Sequence, residues 1–547
     1  MKQIQSHKAK NLLIPSPACA IIEIARVLHP QYKTRGIMLM AKLKTYRGHI
    51  RNHKALCQEL GIAQGLSRQE REEKILLEGY KKWGEELGNH IYGMFALAIE
   101  DGEKIFCLRD QFGTKPFYYH IGEDGTFHCG TFIKDILDKG VKKELNEDML
   151  QLFLTLTYPA GEDTFFKGIK KLMPGHTLTY ENGKVDIKTY FKPEFKADRT
   201  KTLDEYADKI HSTLLEIMQD VKDEDEVAES FLSGGVDSSY VFALSDAKLS
   251  DSCGYDEERF DESPLAKQTA DILGRENSRA LITPEAYFSA IPYVMKNMEQ
   301  PLADASAIVF ALGCIETSKH TKLCYSGEGA DEFFGGYNMY RNAERYGDNL
   351  KTFYVGNTNI MKEDEKKLLL KNYKEDLLPI DLVKDLYQDL EGLDPLTKMS
   401  AVDINIWLEG DIYLNVDKMS TCTGLEIRMP LTDVRMFSIA ASMPPEYKVN
   451  DTDNKVAFRK AAAKVLPEEI AYRKKLGFIV PIRIWMADER YNKDVKETLF
   501  GKTAEKFFNT QYLKDMFNEY IGGNSDLWRK IYTVYAFLVW YREYFEN

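Results

Sequence analysis

Two rhythms of apolar and polar positions divide this chain. Between about residues 90 and 200 the pattern is one of strands and tight turns. Ile91 to Ile99 reads as a buried strand, Asp101-Gly102 as a hairpin turn, and Ile105 to Leu108 as the returning strand. Phe117 to Ile121, followed by Gly122 and Gly125, continues the pattern. Lys170 to Tyr180, with Pro174-Gly175 inside it, adds another turn and strand. This half is mainly antiparallel. A polar, proline-bearing stretch over 192–202 suits a linker. Beyond it the period changes. Leu203 to Gln219 predicts an amphipathic helix, Val227 to Leu232 a short strand, and Val236 to Ala247 a second helix. Strand, glycine loop and helix recur around 323–341, which predicts a parallel sheet with helices on its faces. Residues 360–400 predict helices with a solvated, charge-rich surface. The apolar run Ile531 to Tyr541 predicts a buried C-terminal helix, being too short to cross a bilayer.

Length and composition narrow the class. At 547 residues the chain exceeds one ordinary core, so two or more domains are expected. Hydrophobic residues at 44% and charged residues at 29% are globular values. A net charge of −12 suits a soluble cytoplasmic protein and argues against nucleic-acid or membrane partners. The cysteines at 19, 57, 107, 129, 253, 314, 324 and 422 contain no C-x-x-C pair, so reduced thiols are expected rather than a zinc ribbon or dithiol motif. The polar start over 1–11, and the proline- and charge-bearing stretch after it, read as neither signal peptide nor membrane span.

Two loops carry the chemistry. Ser233-Gly234-Gly235-Val236-Asp237-Ser238-Ser239 follows an apolar strand end and opens a helix. The glycines let backbone amides approach a polyphosphate, the helix start adds free N–H donors, and the serines add hydroxyls. Asp237 would repel phosphate, so a Mg²⁺ ligand is its sensible role. No G-K-[ST] follows, so this is not a Walker A loop, which fits attack at the α-phosphorus with pyrophosphate leaving. The second loop, Ser326-Gly327-Glu328-Gly329-Ala330-Asp331-Glu332, also follows an apolar run. There Asp331 could share the metal with Asp237, and Glu328 could orient a nucleophile or take its proton.

With these loops in hand, residues from roughly 80 to 547 resemble the glutamine-dependent asparagine synthetases. Further matching stretches are Phe260 to Ser263, Glu299 to Ile308, Asp417-Lys418-Met419, Gly424 to Pro430 and Arg473 to Phe478, with Gly93 to Ala96 and Arg109 to Pro116 upstream. The resemblance implies an α/β and α+β protein in two parts. Residues 1–195 would form an Ntn-type antiparallel β-sandwich with helices, similar to a class II glutamine amidotransferase. Residues 203–547 would form a doubly wound parallel-sheet ATP-pyrophosphatase domain with extra helices. It implies ATP and Mg²⁺ as cofactors, with pyrophosphate on Ser233 to Ser239 and the metal on Asp237 and Asp331. Leu232, Cys253 and Gly254 would line adenine and ribose, and Ser326 and Gly327 would touch the nucleotide. Glu328 would assist formation of an aspartyl-adenylate and its capture by ammonia. Lys475 would neutralise charge on the phosphates, a role with its own logic, because a pentavalent phosphorus gains negative charge. Asp304 lies in the segment expected to sort the acid substrate. The family often forms homodimers, and nothing in this sequence identifies an interface.

The front half departs from the family. Its glutaminase needs a cysteine directly after the initiator methionine, and here Lys2 follows Met1, while Cys19 sits in an apolar stretch as a structural thiol would. The family's Asn-Gly-Glu is Arg47-Gly48-His49, and its Ser-Asp-Thr-Glu aligns with Arg71-Glu72-Glu73-Lys74. The expectation is therefore aspartate amidation with free ammonia in place of glutamine. The alternative is an intramolecular amide former resembling β-lactam synthetases or peptide cyclases, which need no ammonia. A relic without activity fits poorly with intact phosphate loops. His49 and His53, four apart, read as a surface coincidence without a nearby acidic ligand.

Overall fold

The computed structural model describes residues 41–222, 226–474, 477 and 479–546. Two antiparallel sheets come first. The larger has the order β1-β2-β3-β7-β8, from β1 (Lys42–Ile50), β2 (Gly93–Asp101), β3 (Lys104–Arg109), β7 (His176–Glu181) and β8 (Lys184–Thr189). The smaller has the order β5-β4-β6, from β4 (Tyr118–Ile121), β5 (Phe127–Gly130) and β6 (Ile169–Lys171). The apolar run at 91–99 is explained by β2 being covered on both faces. Phe95, Leu97 and Ile99 pack with Ile75, Leu76 and Tyr80 of the Arg68–Trp83 helix. Ala96 and Ala98 point the other way, into a cluster with Phe117, Tyr119 and Leu178. Alternation along a strand puts neighbours on opposite faces, so two cores demand an unbroken hydrophobic run.

The 192–202 stretch crosses to the rest of the chain as an extended segment, with Lys196 and Asp198 amides donating to the Ala441 and Ser442 carbonyls. Thr202 then caps the Leu203–Asp220 helix in a reciprocal pair with Glu205. The parallel sheet has the order β11-β10-β9-β12-β13, from β9 (Glu229–Phe231), β10 (Leu249–Gly254), β11 (Glu276–Leu281), β12 (Leu323–Tyr325) and β13 (Glu426–Arg428). Chain order runs outward from β9 in one direction and resumes at β12 on its other side. The carboxyl ends of β9 and β12 therefore flank the switch point, where a crevice opens in sheets of this kind. Both glycine loops leave from those two ends.

The helix Trp528–Phe545 is buried from Ile531 to Trp540, as its apolar run predicts, and Trp540 Nε1 donates to the Glu299 carbonyl at 3.0 Å. Among the described residues, no helix is long and apolar enough to cross a membrane. The 360–400 stretch is less solvated than its charges suggest. Lys366 is fully buried, its ammonium donating to the Thr155 hydroxyl at 2.8 Å and the Gln151 carbonyl at 3.2 Å. Leu369, Pro379 and Val383 are buried with it. Among the described residues, every cysteine is free.

Candidate active site

The first glycine loop is held in shape before any ligand arrives. Leu232 continues β9 by donating its amide to the Asp251 carbonyl at 2.9 Å. Gly234 has φ +80°, and a Cβ there would meet the Leu265–Ala266 backbone at 2.8 Å, so only glycine fits. Arg473 donates to the Gly234 carbonyl at 2.6 Å, pinning the turn. The Ser233 amide donates to Ser238 Oγ at 3.2 Å, which closes the loop over the start of the Val236–Leu244 helix. The amides at that helix start remain available for an anion.

The second loop lies directly against the first. A Cβ on Gly327 would come 2.8 Å from the Ser238 amide nitrogen, so the two backbones touch only because residue 327 is glycine. Ser326 reaches back to β13, its amide donating to the Arg428 carbonyl at 3.0 Å, and its hydroxyl stands 3.5 Å from Glu328 Oε1. Asp331 lies in the first turn of the short Ala330–Phe334 helix. It faces Asp237 across one ammonium group: Lys455 Nζ is 2.6 Å from Asp237 Oδ2 and 2.7 Å from Asp331 Oδ1. Lys455 is 2% exposed and has φ +57°, a strained backbone for a residue with a side chain. Gly336 closes the cluster, since a Cβ there would fall 1.7 Å from Asp331 Oδ1. Behind it burial, then the neighbouring Asp331, lifts the Glu332 carboxyl to about 8, while Tyr337 donates to it.

A cavity of ≈ 550 Å³ gathers most of the residues the sequence singled out. Leu232 to Ser238, Cys253, Asp304, Ser326, Gly327, Glu328 and Asp331 all line it. Burial pushes the Cys253 thiol up to about 12, so it stays protonated. Two expected residues do not line the cavity. Ser239 is fully buried beneath the loop, and Gly254 is packed against Arg279, Asp261 and Ser263. Lys475 lies outside the described residues, although its neighbours Lys474 and Gly477 both line the cavity. Residues that sequence reasoning missed complete the walls: Lys455, Arg459, Asn415, Trp407 and Arg529. Lys455 carried no signal, being a lone lysine 218 residues from its partner Asp237. Asp304 is oriented by the Ser306 amide at 2.9 Å.

The altered front-half residues are engaged in packing. Arg47 spans to the other half of the chain, donating to Asp417 Oδ1 at 2.8 Å and Oδ2 at 3.2 Å, and lies over the Phe132 ring. Lys115 also reaches Asp417 at 2.9 Å. Burial opposes ionisation of Asp417, but Arg47, Lys115 and Lys418 together hold it at about 2. Glu72 is buried and fully used: its carboxylate takes the Ile50 amide at 3.0 Å, His49 Nδ1 at 3.1 Å and the Tyr46 hydroxyl at 2.8 Å. His49 and His53 are both buried, not on the surface as their sequence suggests, and Glu72 is the acidic neighbour that reading lacked. Burial lowers the His53 pKa to about 4.

Two touching glycine loops at the switch point of a parallel sheet, with a pair of carboxylates at the cavity wall, are the framework of a nucleotide-dependent enzyme. Comparison with known sequences makes that specific. The family model for asparagine synthase matches residues 209–542, and the model for a glutamine amidotransferase domain matches residues 19–191. An asparagine synthetase [glutamine-hydrolyzing] of Bacillus subtilis is 32% identical, covering 91% of this chain and 84% of its own length. A putative asparagine synthetase [glutamine-hydrolyzing] of Mycobacterium tuberculosis is 27% identical over 92% and 84%. Among solved structures, a glutamine phosphoribosylpyrophosphate amidotransferase of B. subtilis is similar at a TM-score of 0.21 and 10% identity, covering 44% and 45% of the two chains, too slight a likeness to bear on the fold. The chain belongs to the asparagine synthase family, whose members are ATP-dependent carbon–nitrogen ligases.

Proposed function

We propose that this protein makes asparagine from aspartate, ATP and ammonia, in a synthetase domain spanning 203–547 that follows a glutaminase-like domain spanning 1–195. The observation that carries the reading is the single cavity shared by Asp237, Asp331, Glu328 and the glycine loop. In the first step an aspartate side-chain oxygen attacks the α-phosphorus, forming β-aspartyl-AMP and releasing pyrophosphate. In the second, ammonia attacks the acyl carbon, AMP leaves, and a proton is lost to a base.

The amides from Gly234 to Ser238 would grip the leaving pyrophosphate, with Ser233 and Ser238 adding hydroxyls. Leu232 and Cys253 would lie along adenine and ribose. Asp237 Oδ1 is buried with no hydrogen-bond partner, a hard oxygen donor that suits Mg²⁺. Asp237 and Asp331 would hold that ion, which when bound supplies charge neutralisation at the phosphates. Lys455 adds cationic charge to the same region, and the resemblance would give Lys475 a like role. Glu328 would receive the ammonia proton. Asp304 would contact the aspartate.

Ammonia is taken directly in this reading, because by the resemblance Arg47 and Glu72 replace residues with which the family grips glutamine, and both are committed to other partners. That same feature favours a second reading, an intramolecular amide former, which also dispenses with glutamine. One assay separates them. With ATP, Mg²⁺ and aspartate, ammonium should yield equal asparagine and pyrophosphate, and labelled glutamine should release no glutamate. Pyrophosphate exchange with some other acid, but not with aspartate, would transfer the case to the second reading. Substantial glutamate release would overturn the direct use of ammonia.

A further inference from the structure

Glu229, Asp251 and His320 converge beside the strands that lead to the phosphate loop, and Asp251 also lines the nucleotide cavity. Glu229 begins β9, Asp251 lies in the adjacent β10, and His320 follows the Ser306–Thr317 helix on the way into β12. Each offers a ligand atom, and these atoms lie within 4.8 Å of one another. His320 Nδ1 is 3.9 Å from Glu229 Oε2. Among the described residues this is the one such grouping of three.

Two further observations point to a ligand. Glu229 is 7% exposed and Asp251 8%, yet Glu229 Oε2 and Asp251 Oδ2 are buried with no hydrogen-bond partner. Buried carboxylate oxygens are normally paired, and two this close repel each other unless a shared proton or a cation stands between them. Asp251 and Thr317 also line a cavity of ≈ 40 Å³, roomy enough for a water ligand.

We propose that Glu229, Asp251 and His320 form a divalent transition-metal site, bordering the nucleotide cavity that Asp251 also lines, that braces the strand feeding the phosphate loop. One imidazole with two carboxylates suits Zn²⁺ or Mn²⁺, and disfavours Mg²⁺, which takes oxygen ligands and keeps its waters. Only a small approach of the half-exposed His320 is needed to bring all three within bonding reach. The bound ion would tie β9 and β10 to the turn before β12. The phosphate loop starts at Ser233, four residues beyond Glu229, so the brace acts on its anchor rather than on the reacting atoms.

The test uses the full chain, stripped with chelator and free of nucleotide. Zn²⁺ is titrated by calorimetry and by thermal unfolding, on the parent and on His320→Ala and Glu229→Gln. His320 is on the surface, so its removal spares the fold and guards against misfolding of the Glu229 variant. The expected result is one Zn²⁺ bound per chain with a raised Tm, and affinity lowered by roughly tenfold or more in His320→Ala. Absence of Zn²⁺ binding in the parent, or binding of equal strength in His320→Ala, would overturn the site.

Discussion

The ammonium of Lys455 lies between two carboxylates from different loops, 2.6 Å from Asp237 Oδ2 and 2.7 Å from Asp331 Oδ1. Neither acid is near it in sequence. Removing this cation leaves two negative groups facing the cavity proposed to take a triphosphate. Lys455→Met is expected to slow pyrophosphate release by about 10²-fold or more, the scale seen when one preorganised donor to a transition-state charge is lost. Rapid-quench measurement of pyrophosphate, beside a direct nucleotide-binding titration, checks this, and an unchanged rate would remove Lys455 from the mechanism.

Gly336 is required by space alone. In Gly336→Ala the new methyl would fall 1.7 Å from Asp331 Oδ1 and 2.2 Å from Lys455 Cε, so the carboxylate and lysine must separate. Activity should be lost while circular dichroism and the unfolding midpoint stay close to the parent. Retained turnover would mean the side chains around Asp331 move freely.

Arg47 is expected to act on stability rather than on catalysis. Its guanidinium and Lys115 are ion-pair partners of Asp417, which is 1% exposed. Arg47→Ala should cost roughly 2 kcal/mol in urea unfolding, since it leaves a buried carboxylate short of a charged donor. Ammonia-dependent synthesis at a temperature where the variant is folded should be unaffected. A loss below about 0.5 kcal/mol would show that Lys115 suffices.

Stability should depend on pH through Asp403. Burial outweighs the hydrogen bonds from Tyr340 and Tyr354 and raises this carboxyl to about 7. In the unfolded chain it ionises near 3.9. Its contribution is therefore full below about pH 4 and is lost as pH rises toward 7, because the unfolded state releases its proton first. Asp403→Asn should flatten the fall in unfolding free energy between pH 5 and 7. The profile should not become level, since Glu332 is raised in the same direction. Parallel profiles for parent and variant would mean Asp403 is ionised in the fold.

Much of this was legible in the sequence, and the limit has a physical cause. The phosphate loop, the acidic loop, the hairpins and the C-terminal helix could all be read because each is specified by neighbours in the chain: glycines where φ is positive, a cap before a helix, a run of apolar residues. What stayed hidden was pairing across long separations. Lys455 looks like any surface lysine until folding sets it against Asp237, and Arg47 is a lost glutaminase residue until β1 carries it to Asp417. His49 and His53 read as a surface pair because no acidic ligand stands near them in sequence, yet the strand and helix that bear them face inward.

The sequence by itself determined the local devices: where backbone amides could cradle phosphate, and which residue types could carry charge. Only the tertiary structure decided which charges meet, because electrostatic and steric contacts act over a few ångströms regardless of the hundreds of residues between them. The same rule brought Glu229, Asp251 and His320 together from three separate elements.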